Sequence, residues 1–124
     1  LLTSAYTDFS FANIAYSNFS LSKLSNAKFT YAVCIKTNFS KTRCIETNFS
    51  YSNCKGANFT NANLNKAKFM SANLEGAIFS GANLEKAVFK FANVKDAVIP
   101  EIYREKLQKL KCKNVHLVRW QDKW

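Results

Sequence analysis

The sequence predicts an all-β solenoid of short stacked coils, closed at its carboxy-terminal end by a helix. Three observations support this fold class: an apolar residue at every fifth position from Phe9 to Ile99, a small residue two places before nearly all of them, and the end of this period at Pro100. A period of five matches neither the 3.6-residue repeat of a helix nor the two-residue repeat of a long strand. The 124-residue chain is therefore expected to be built from repeating units.

Each five-residue unit predicts a short extended piece followed by a corner. Residues two apart on an extended chain point to the same side, so the small residue and the large central residue both face inward. The residue between them faces outward and is most often Asn, as at Asn13, Asn18 and Asn38. The last two residues turn the corner. Units that all turn the same way make a closed coil, and stacked coils pair their backbones at about 4.8 Å.

The central residues carry a second period of ten. From Phe9 to Phe89 phenylalanine fills every alternate centre, and Ile, Leu, Cys or Val fills the others. We expect this column to be the main source of stability, because each buried aromatic ring removes about 150–250 Å² from water. The predicted structural core contains Phe9, Phe19, Phe29, Phe39, Phe49, Phe59, Phe69, Phe79 and Phe89 together with Cys34, Cys44 and Cys54.

The units A-N-F-T-N at 57–61, A-N-L-N-K at 62–66, A-N-L-E-G at 72–76 and A-N-L-E-K at 82–86 make the chain resemble the pentapeptide-repeat family. The resemblance covers residues 7–101. It implies a right-handed quadrilateral parallel β-helix with four units in each coil, so the 19 repeats make nearly five coils. On that geometry the phenylalanine ladders occupy two opposite faces.

Three segments are expected along the chain. Residues 1–6 depart from the pattern and predict an N-terminal cap or a truncated edge, in a piece of a longer protein. Residues 7–101 form the repeats. Residues 101–124 are expected to cap the solenoid, with Trp120 and Trp124 helping to plug it, because an open coil end exposes the core and unpaired backbone groups.

Within this tail, a helix is predicted at about 101–112. Tyr103, Leu107 and Leu110 share one face at helical spacing. Acidic residues lie early and lysines lie late, which suits the helix macrodipole. Residues 115–120 are expected as a short strand or an extended wrap.

Two outward positions carry apolar side chains, and we expect another part of the protein or a second copy to cover them. Ile78 and Val98 are 20 residues apart and should lie on one face in adjacent coils. We expect the capping helix to provide the cover and the protein to be a monomer. The alternative is a dimer through this face or through the C-terminal end.

The three core cysteines are expected to act as small buried hydrophobes. On the implied geometry Cys34 and Cys54 lie on one face in adjacent coils, and a disulfide between them would require inward side chains to bend along the axis. Cys44 lies on the opposite face. Unpaired thiols favour a reducing compartment. We therefore expect the bacterial cytoplasm, or the host cytoplasm if the chain belongs to a secreted effector.

Catalysis is not expected. An enzyme needs acid, base or nucleophilic groups that converge in a concave site, whereas this solenoid has a filled interior without paired inward carboxylates. The single histidine, His116, lies in the tail. The sequence predicts no catalytic residue, no cofactor and no metal site.

The formal net charge is +10, of which +6 lies in the repeats and +4 in the tail. Some members of the resembled family mimic duplex DNA and bind gyrase, which requires a strongly negative surface, so that role is the least favoured. A basic module that binds anionic membrane or nucleic acid is the alternative function. Its candidate anion patch consists of Lys23, Lys41, Arg43 and Lys66.

A stripe of outward aromatic residues follows one corner of the coil at 20-residue spacing, interrupted by Ser71. The rings either stack to shield the backbone or bind a protein, since Tyr and Phe are enriched in interfaces. The leading expectation is a non-enzymatic protein–protein interaction module, one domain of a larger scaffold or secreted bacterial effector. The candidate partner-binding residues are Phe11, Tyr31, Tyr51 and Phe91.

Overall fold

The computed structural model describes residues 3–122 and contains the predicted solenoid. Parallel bridges join outward residues that lie 20 positions apart, as between Asn18 and Asn38 and between Asn38 and Asn58. Successive bridges are five residues apart along the chain, so each coil has four sides of one unit each. The fold is a right-handed quadrilateral parallel β-helix, as predicted.

Every side of the coil ends in a tight turn. The carbonyl of Phe9 accepts the N–H of Ala12 at 3.0 Å, and Phe11 between them has a φ of 65°. A positive φ recurs at every fifth residue from Tyr6 to Asp96. Such turns favour Gly or Asn at this place, yet most corners carry bulkier residues. The N–H of Phe11 donates to the next coil at 3.0 Å, and this cross-coil bonding holds the corner in its conformation.

The interior is a column of rings and aliphatic side chains. Phe29 stacks on Phe49 at 5.0 Å between centroids, and Phe39 stacks on Phe59 at 5.1 Å, so two ladders run along opposite faces. The ladders meet in the middle, where Phe29 and Phe39 lie edge to face at 5.5 Å and 82°. Both arrangements are favoured ring geometries. The core is therefore filled as the ten-residue period predicts.

The outward asparagines satisfy the backbone. Within residues 3–122, the residue after each centre in the repeats donates no N–H to the backbone of a neighbouring coil. The side chain of Asn38 accepts this N–H from Ser40 at 2.9 Å, and Asn18 accepts it from Ser20 at 2.9 Å. These local side-chain bonds explain the preference for Asn, which offers an acceptor to the residue two places ahead.

The repeats lead into a short strand, helical turns and a second strand. The elements are β1 at Val98–Pro100, a 3₁₀ turn at Glu101–Tyr103, α1 at Arg104–Gln108, a 3₁₀ turn at Val115–Leu117 and β2 at Arg119–Gln121.

The tail adds a partial layer on top of the last coil. Strand β2 pairs in parallel with β1, with Ile99 opposite Trp120. Lys113 continues the bridges by pairing with Asn93. Tyr103 is buried against the end of the core. This layer supplies both hydrogen bonds and apolar contacts to the last coil, so it caps the carboxy-terminal end of the solenoid. Trp124, which was also expected to help plug this end, lies outside the described residues.

The helix differs from its predicted extent of 101–112. The α-helical part covers only Arg104–Gln108, because a 3₁₀ turn precedes it and the chain leaves the helix to place Lys113 on the coil. Leu107 is buried as predicted, whereas Leu110 is half-buried.

The expected cover over Ile78 and Val98 also differs. The two residues are bridge partners on one outward face, and both are half-buried. The next residue on that face is Arg119 of β2. Strand β2, rather than the helix, therefore extends this face by one layer beyond Val98.

The amino-terminal segment follows the coil from the first described residue. Thr3 bridges Lys23, and the carbonyl of Ser4 accepts the N–H of Thr7 at 3.0 Å. Tyr6 has the φ of a corner, 66°. Residues 3–6 thus follow the path of a repeat unit, although Ser4 breaks the sequence pattern, and whether the segment is a cap or a truncated edge stays a prediction. Residues 1 and 2 lie outside the described part.

Candidate interaction surfaces

Three aromatic side chains form a continuous stack along one corner, here called the aromatic corner: Phe11, Tyr31 and Tyr51. The rings of Phe11 and Tyr31 lie 5.1 Å apart and nearly parallel, and Tyr31 and Tyr51 repeat this at 5.0 Å. Even Tyr51 remains 47% exposed. Stacking therefore covers the ring faces that meet, and the outer part of each ring stays open to a partner.

Phe91 stands apart from this stack. Ser71 occupies the intervening coil, so no ring bridges from Tyr51 to Phe91. The ammonium group of Lys90 lies 5.1 Å from the centroid of the Phe91 ring, a cation–π distance. The predicted four-residue stripe is thus a three-ring corner and a separate exposed phenylalanine.

The first coil exposes more apolar corners than the sequence interpretation selects. Tyr6 and Leu21 lie at two of its other corners and are both exposed. The signal is present in the sequence, because the last residues of four successive units are Tyr6, Phe11, Tyr16 and Leu21. Reading the corners only at 20-residue spacing hides this ring of residues.

The candidate anion patch is partly assembled. Lys23 and Arg43 are bridge partners in adjacent coils, and Lys41 lies at the corner two residues before Arg43. All three side chains are exposed. Lys66 is drawn instead to Glu46, with 3.9 Å between its Nζ and a carboxylate oxygen. Within residues 3–122, no carboxylate forms an ion pair with Lys23, Lys41 or Arg43, so these three residues supply the exposed positive charge of the patch.

Three of the four cysteines have a thiol pKa that is raised above the ordinary value. The hydrogen bond with Cys54 and then burial raise the pKa of Cys34, and burial raises the pKa of Cys44 to about 11. The Cys44 thiol donates to the hydroxyl of Thr42 at 3.2 Å. Burial likewise raises the pKa of Cys112 to about 11. Because a thiolate is the nucleophilic and metal-binding form, the raised pKa makes the thiols of Cys34, Cys44 and Cys112 less reactive. All four cysteines are free, and Cys34, Cys44 and Cys54 are buried in the core.

Clusters of metal-binding side chains and membrane-spanning helices are both absent from the described part of the chain. Across residues 3–122, no three His, Cys, Asp or Glu side chains are grouped so that they could hold a metal ion. None of the helices described is long and apolar enough to cross a membrane. His116 is exposed in the tail. The surfaces left as candidates are the aromatic corner and the basic residues.

Comparison with known proteins agrees with this geometry. The family model for pentapeptide repeats matches in 8 copies, which together span residues 7–98. No curated protein matches the chain by sequence.

Several solved structures share the fold. A pentapeptide repeat protein from the Arabidopsis thaliana thylakoid lumen is 26% identical, with a TM-score of 0.84 over 88% of this chain and 76% of that one. A pentapeptide repeat protein from Nostoc PCC 7120 is 22% identical, with a TM-score of 0.54 over 94% and 84% of the two chains. QnrB1, a plasmid-mediated fluoroquinolone resistance protein, is 17% identical, with a TM-score of 0.56 over 91% and 68%.

Proposed function

Because the chain belongs to the pentapeptide-repeat family, we propose that it is a non-catalytic module that binds a partner protein through its aromatic corner. Proteins of this family are generally structural or interaction modules rather than enzymes. The filled core and the raised thiol pKa of the buried Cys44 support the same assignment here.

The observation that carries the proposal is the stack of Phe11, Tyr31 and Tyr51 on a rigid edge. Ring spacings of 5.0–5.1 Å hold the side chains in one orientation before any partner arrives. Preorganised side chains lose little conformational entropy on binding, which favours affinity. Aromatic residues of this kind dominate the energetics of many interfaces.

The wider setting is part of the proposal. The module is one domain of a larger scaffold or secreted effector, and its free thiols favour the reducing bacterial or host cytoplasm. Topoisomerase binding by DNA mimicry is the weakest assignment, because the charge of +10 has the wrong sign. The likeness to QnrB1 at 17% identity supports the fold alone.

A second candidate rests on the adjacent exposed cations Lys23 and Arg43. These residues, with Lys41, would attract an anionic membrane or nucleic acid. Such binding weakens steeply as salt rises. A titration of anionic vesicles and duplex DNA at two salt concentrations separates this candidate from contact through the aromatic corner.

The proposal is tested with a Tyr31→Ser/Tyr51→Ser variant and the wild-type chain as baits for partner capture. A Lys36→Ser/Lys86→Ser variant is the matched control. Both lysines occupy corners with a positive φ, as Tyr31 and Tyr51 do, but they lie outside the aromatic corner. We expect the tyrosine variant alone to lose the partner, with its melting temperature unchanged. Equal capture by all three chains, or a lower melting temperature as the sole effect, would instead assign the rings to backbone shielding.

A further inference from the structure

The row of corner rings is interrupted at one coil. Tyr31 and Tyr51 lie in consecutive coils, and their ring centroids are 5.0 Å apart. The next coil carries Ser71 at this corner, and the coil after that carries Phe91. Tyr51 is 47% exposed and Phe91 is 42% exposed. The place in front of Ser71, between the corners of Tyr51 and Phe91, is here called the Ser71 gap.

The backbone continues across the Ser71 gap without a change of spacing. Tyr51, Ser71 and Phe91 have φ angles of 63°, 56° and 64°, so their side chains leave the same corner in the same direction. The N–H of Tyr51 donates to the carbonyl of Met70 at 2.9 Å, and the N–H of Ser71 donates to that of Lys90 at 2.9 Å. Two coil spacings, about 10 Å, therefore separate the corners of Tyr51 and Phe91.

This separation suits one planar ring. A ring placed midway would lie about 5 Å from the ring on either side, within the range of about 4.5–7 Å that aromatic pairs favour. The same spacing, 5.0–5.1 Å, is found between the rings of Phe11, Tyr31 and Tyr51. A ring supplied by another molecule would thus find aromatic surface on both sides.

The surroundings of the Ser71 gap are basic. Three segments form the corner and the adjoining outward positions, and none contains an acidic residue: 48–53, 68–73 and 88–93. Lys68 and Lys90 lie within them, and Lys111 lies one layer further, where its carbonyl accepts the N–H of Phe91 at 2.6 Å. All three lysines are exposed, and none forms an ion pair with a residue in 3–122. An occupant with negative charge beside its ring is therefore favoured.

A protein segment fits these observations better than a nucleic acid or a second copy. Single-stranded nucleic acids bind to rows of aromatic side chains on which successive bases stack. Here Phe11, Tyr31 and Tyr51 cover one another's ring faces, so the corner offers one stacking place rather than a row. A second copy carries the same net charge of +10 and is repelled.

We propose that the Ser71 gap receives one aromatic side chain from an acidic segment of the partner protein. This inference rests on the proposed function, because Tyr51 belongs to the aromatic corner. The incoming ring completes the stack from Tyr51 to Phe91 and is the buried anchor of the interface. The acidic neighbours of that ring pair with Lys68, Lys90 and Lys111, which favours fast association and fixes the orientation of the segment.

The proposal is tested with a short dye-labelled peptide that has one tryptophan flanked by glutamates, and binding is followed by fluorescence anisotropy. A Ser71→Tyr variant fills the gap from within the chain. We expect it to raise the dissociation constant of the peptide by about tenfold or more, because the peptide ring loses its stacking place. Tyr51 has the same corner conformation, so the variant is compatible with the fold and should melt at a higher temperature than the wild type.

Asn61→Tyr is the matched control, because it adds the same ring at an exposed corner on the opposite edge of the coil, with a φ of 58°. This variant should bind the peptide as the wild type does. Peptides in which alanine replaces the tryptophan, or lysines replace the glutamates, should bind about tenfold more weakly to the wild type.

Three results would overturn the proposal. The first is equal peptide affinity of Ser71→Tyr and the wild type, and the second is a lower melting temperature of Ser71→Tyr, which would show that a ring does not fit. The third is an oligothymidine that binds the wild type and is lost in Ser71→Tyr while the peptide fails to bind, since the gap would then take a base.

Partner capture separates this proposal from the proposed function, because Ser71→Tyr keeps both Tyr31 and Tyr51. If Ser71→Tyr captures the partner and the Tyr31→Ser/Tyr51→Ser variant does not, the gap proposal fails and the proposed function stands. Equal capture by all of these chains contradicts the proposed function, and the peptide titration then reports on the gap alone.

Discussion

The hydroxyl of Tyr103 accepts the backbone N–H of Leu84 at 3.0 Å. In the repeats, the N–H of a central residue donates to the carbonyl 19 positions later, as Leu64 does to Asn83 at 2.8 Å. Tyr103 is the residue 19 positions after Leu84, but its backbone is in a 3₁₀ turn. Its side chain therefore replaces the carbonyl that the next coil would have supplied.

Replacing Tyr103 by Phe should lower the free energy of unfolding by about 1–3 kcal/mol, because the buried N–H of Leu84 loses its acceptor. Urea unfolding followed by circular dichroism measures this change. Tyr16→Phe is the control, since the Tyr16 side chain is exposed and its loss of a hydroxyl should be neutral. Equal stability of both variants would show that the bond to Tyr103 contributes nothing.

Replacing Asn38 by Ala should destabilise the fold by about 1 kcal/mol, because the N–H of Ser40 then loses its acceptor. Thermal and urea unfolding measure the difference. Lys68 holds the same place in its unit without a side-chain bond to the backbone, so Lys68→Ala should change stability by less than about 0.5 kcal/mol. A loss of the same size at both positions would contradict the role given to the asparagines.

Replacing Gly76 by Ala should cost about 1 kcal/mol, because φ is 69° there and a Cβ is strained at such an angle. Space is not the cause, since the nearest heavy atom to an added Cβ is the nitrogen of Gly56 at 4.0 Å. Gly76→Asn should cost less, as Asn tolerates this conformation and already occupies the corner at Asn26. Urea unfolding of both variants tests the order, and an Ala variant as stable as the Asn variant would refute it.

The stability of the wild-type chain should depend on Cys44 at alkaline pH. Its folded pKa of about 11 lies above the ordinary value of 9.0 because the thiol is buried. Below pH 9 the thiol is protonated in both states, so its contribution is constant. Between pH 9 and pH 11 the unfolded chain loses this proton and the folded chain keeps it, so stability falls with rising pH, by at most about 1.4 kcal/mol per unit.

Urea unfolding at pH 7, 8, 9 and 10 under reducing conditions tests this dependence. The Cys44→Ala variant lacks the titrating group, so the stability difference between wild type and variant should be constant up to pH 9 and shrink above it. A difference that stays constant to pH 10 would exclude a buried neutral thiol at this position.

Much of the solenoid could be predicted because the same five-residue pattern of small, outward and central residues recurs along the chain. The small residue and the central residue of each unit both point inward. A unit in the wrong register would therefore expose a ring such as that of Phe39 or Phe59. The resemblance to known repeats added the four-sided, right-handed path. The role of Asn38 was not predictable from periodicity, since its partner is a backbone N–H that becomes unpaired only when the coils stack.

The tail was less predictable because its partners lie in the last coil rather than in its own sequence. Its apolar spacing favoured one helix of 12 residues, whereas the structure divides the segment between α1 and a layer that continues the coil. The competing requirement was the open backbone edge of Ala92 and Val94, which Lys113 satisfies. The hydrogen bonds that Lys113 makes with this edge take the place of those that a further helical turn would have formed.

By itself, the sequence determined the five-residue unit, the inward column and the basic charge, because these depend on which residue types recur and where. The tertiary structure alone decided that the rings of Phe11, Tyr31 and Tyr51 stack in parallel, and that the hydroxyl of Tyr103 accepts the N–H of Leu84. These outcomes depend on contacts between residues about 20 positions apart, and such contacts exist only after the coils have closed on one another.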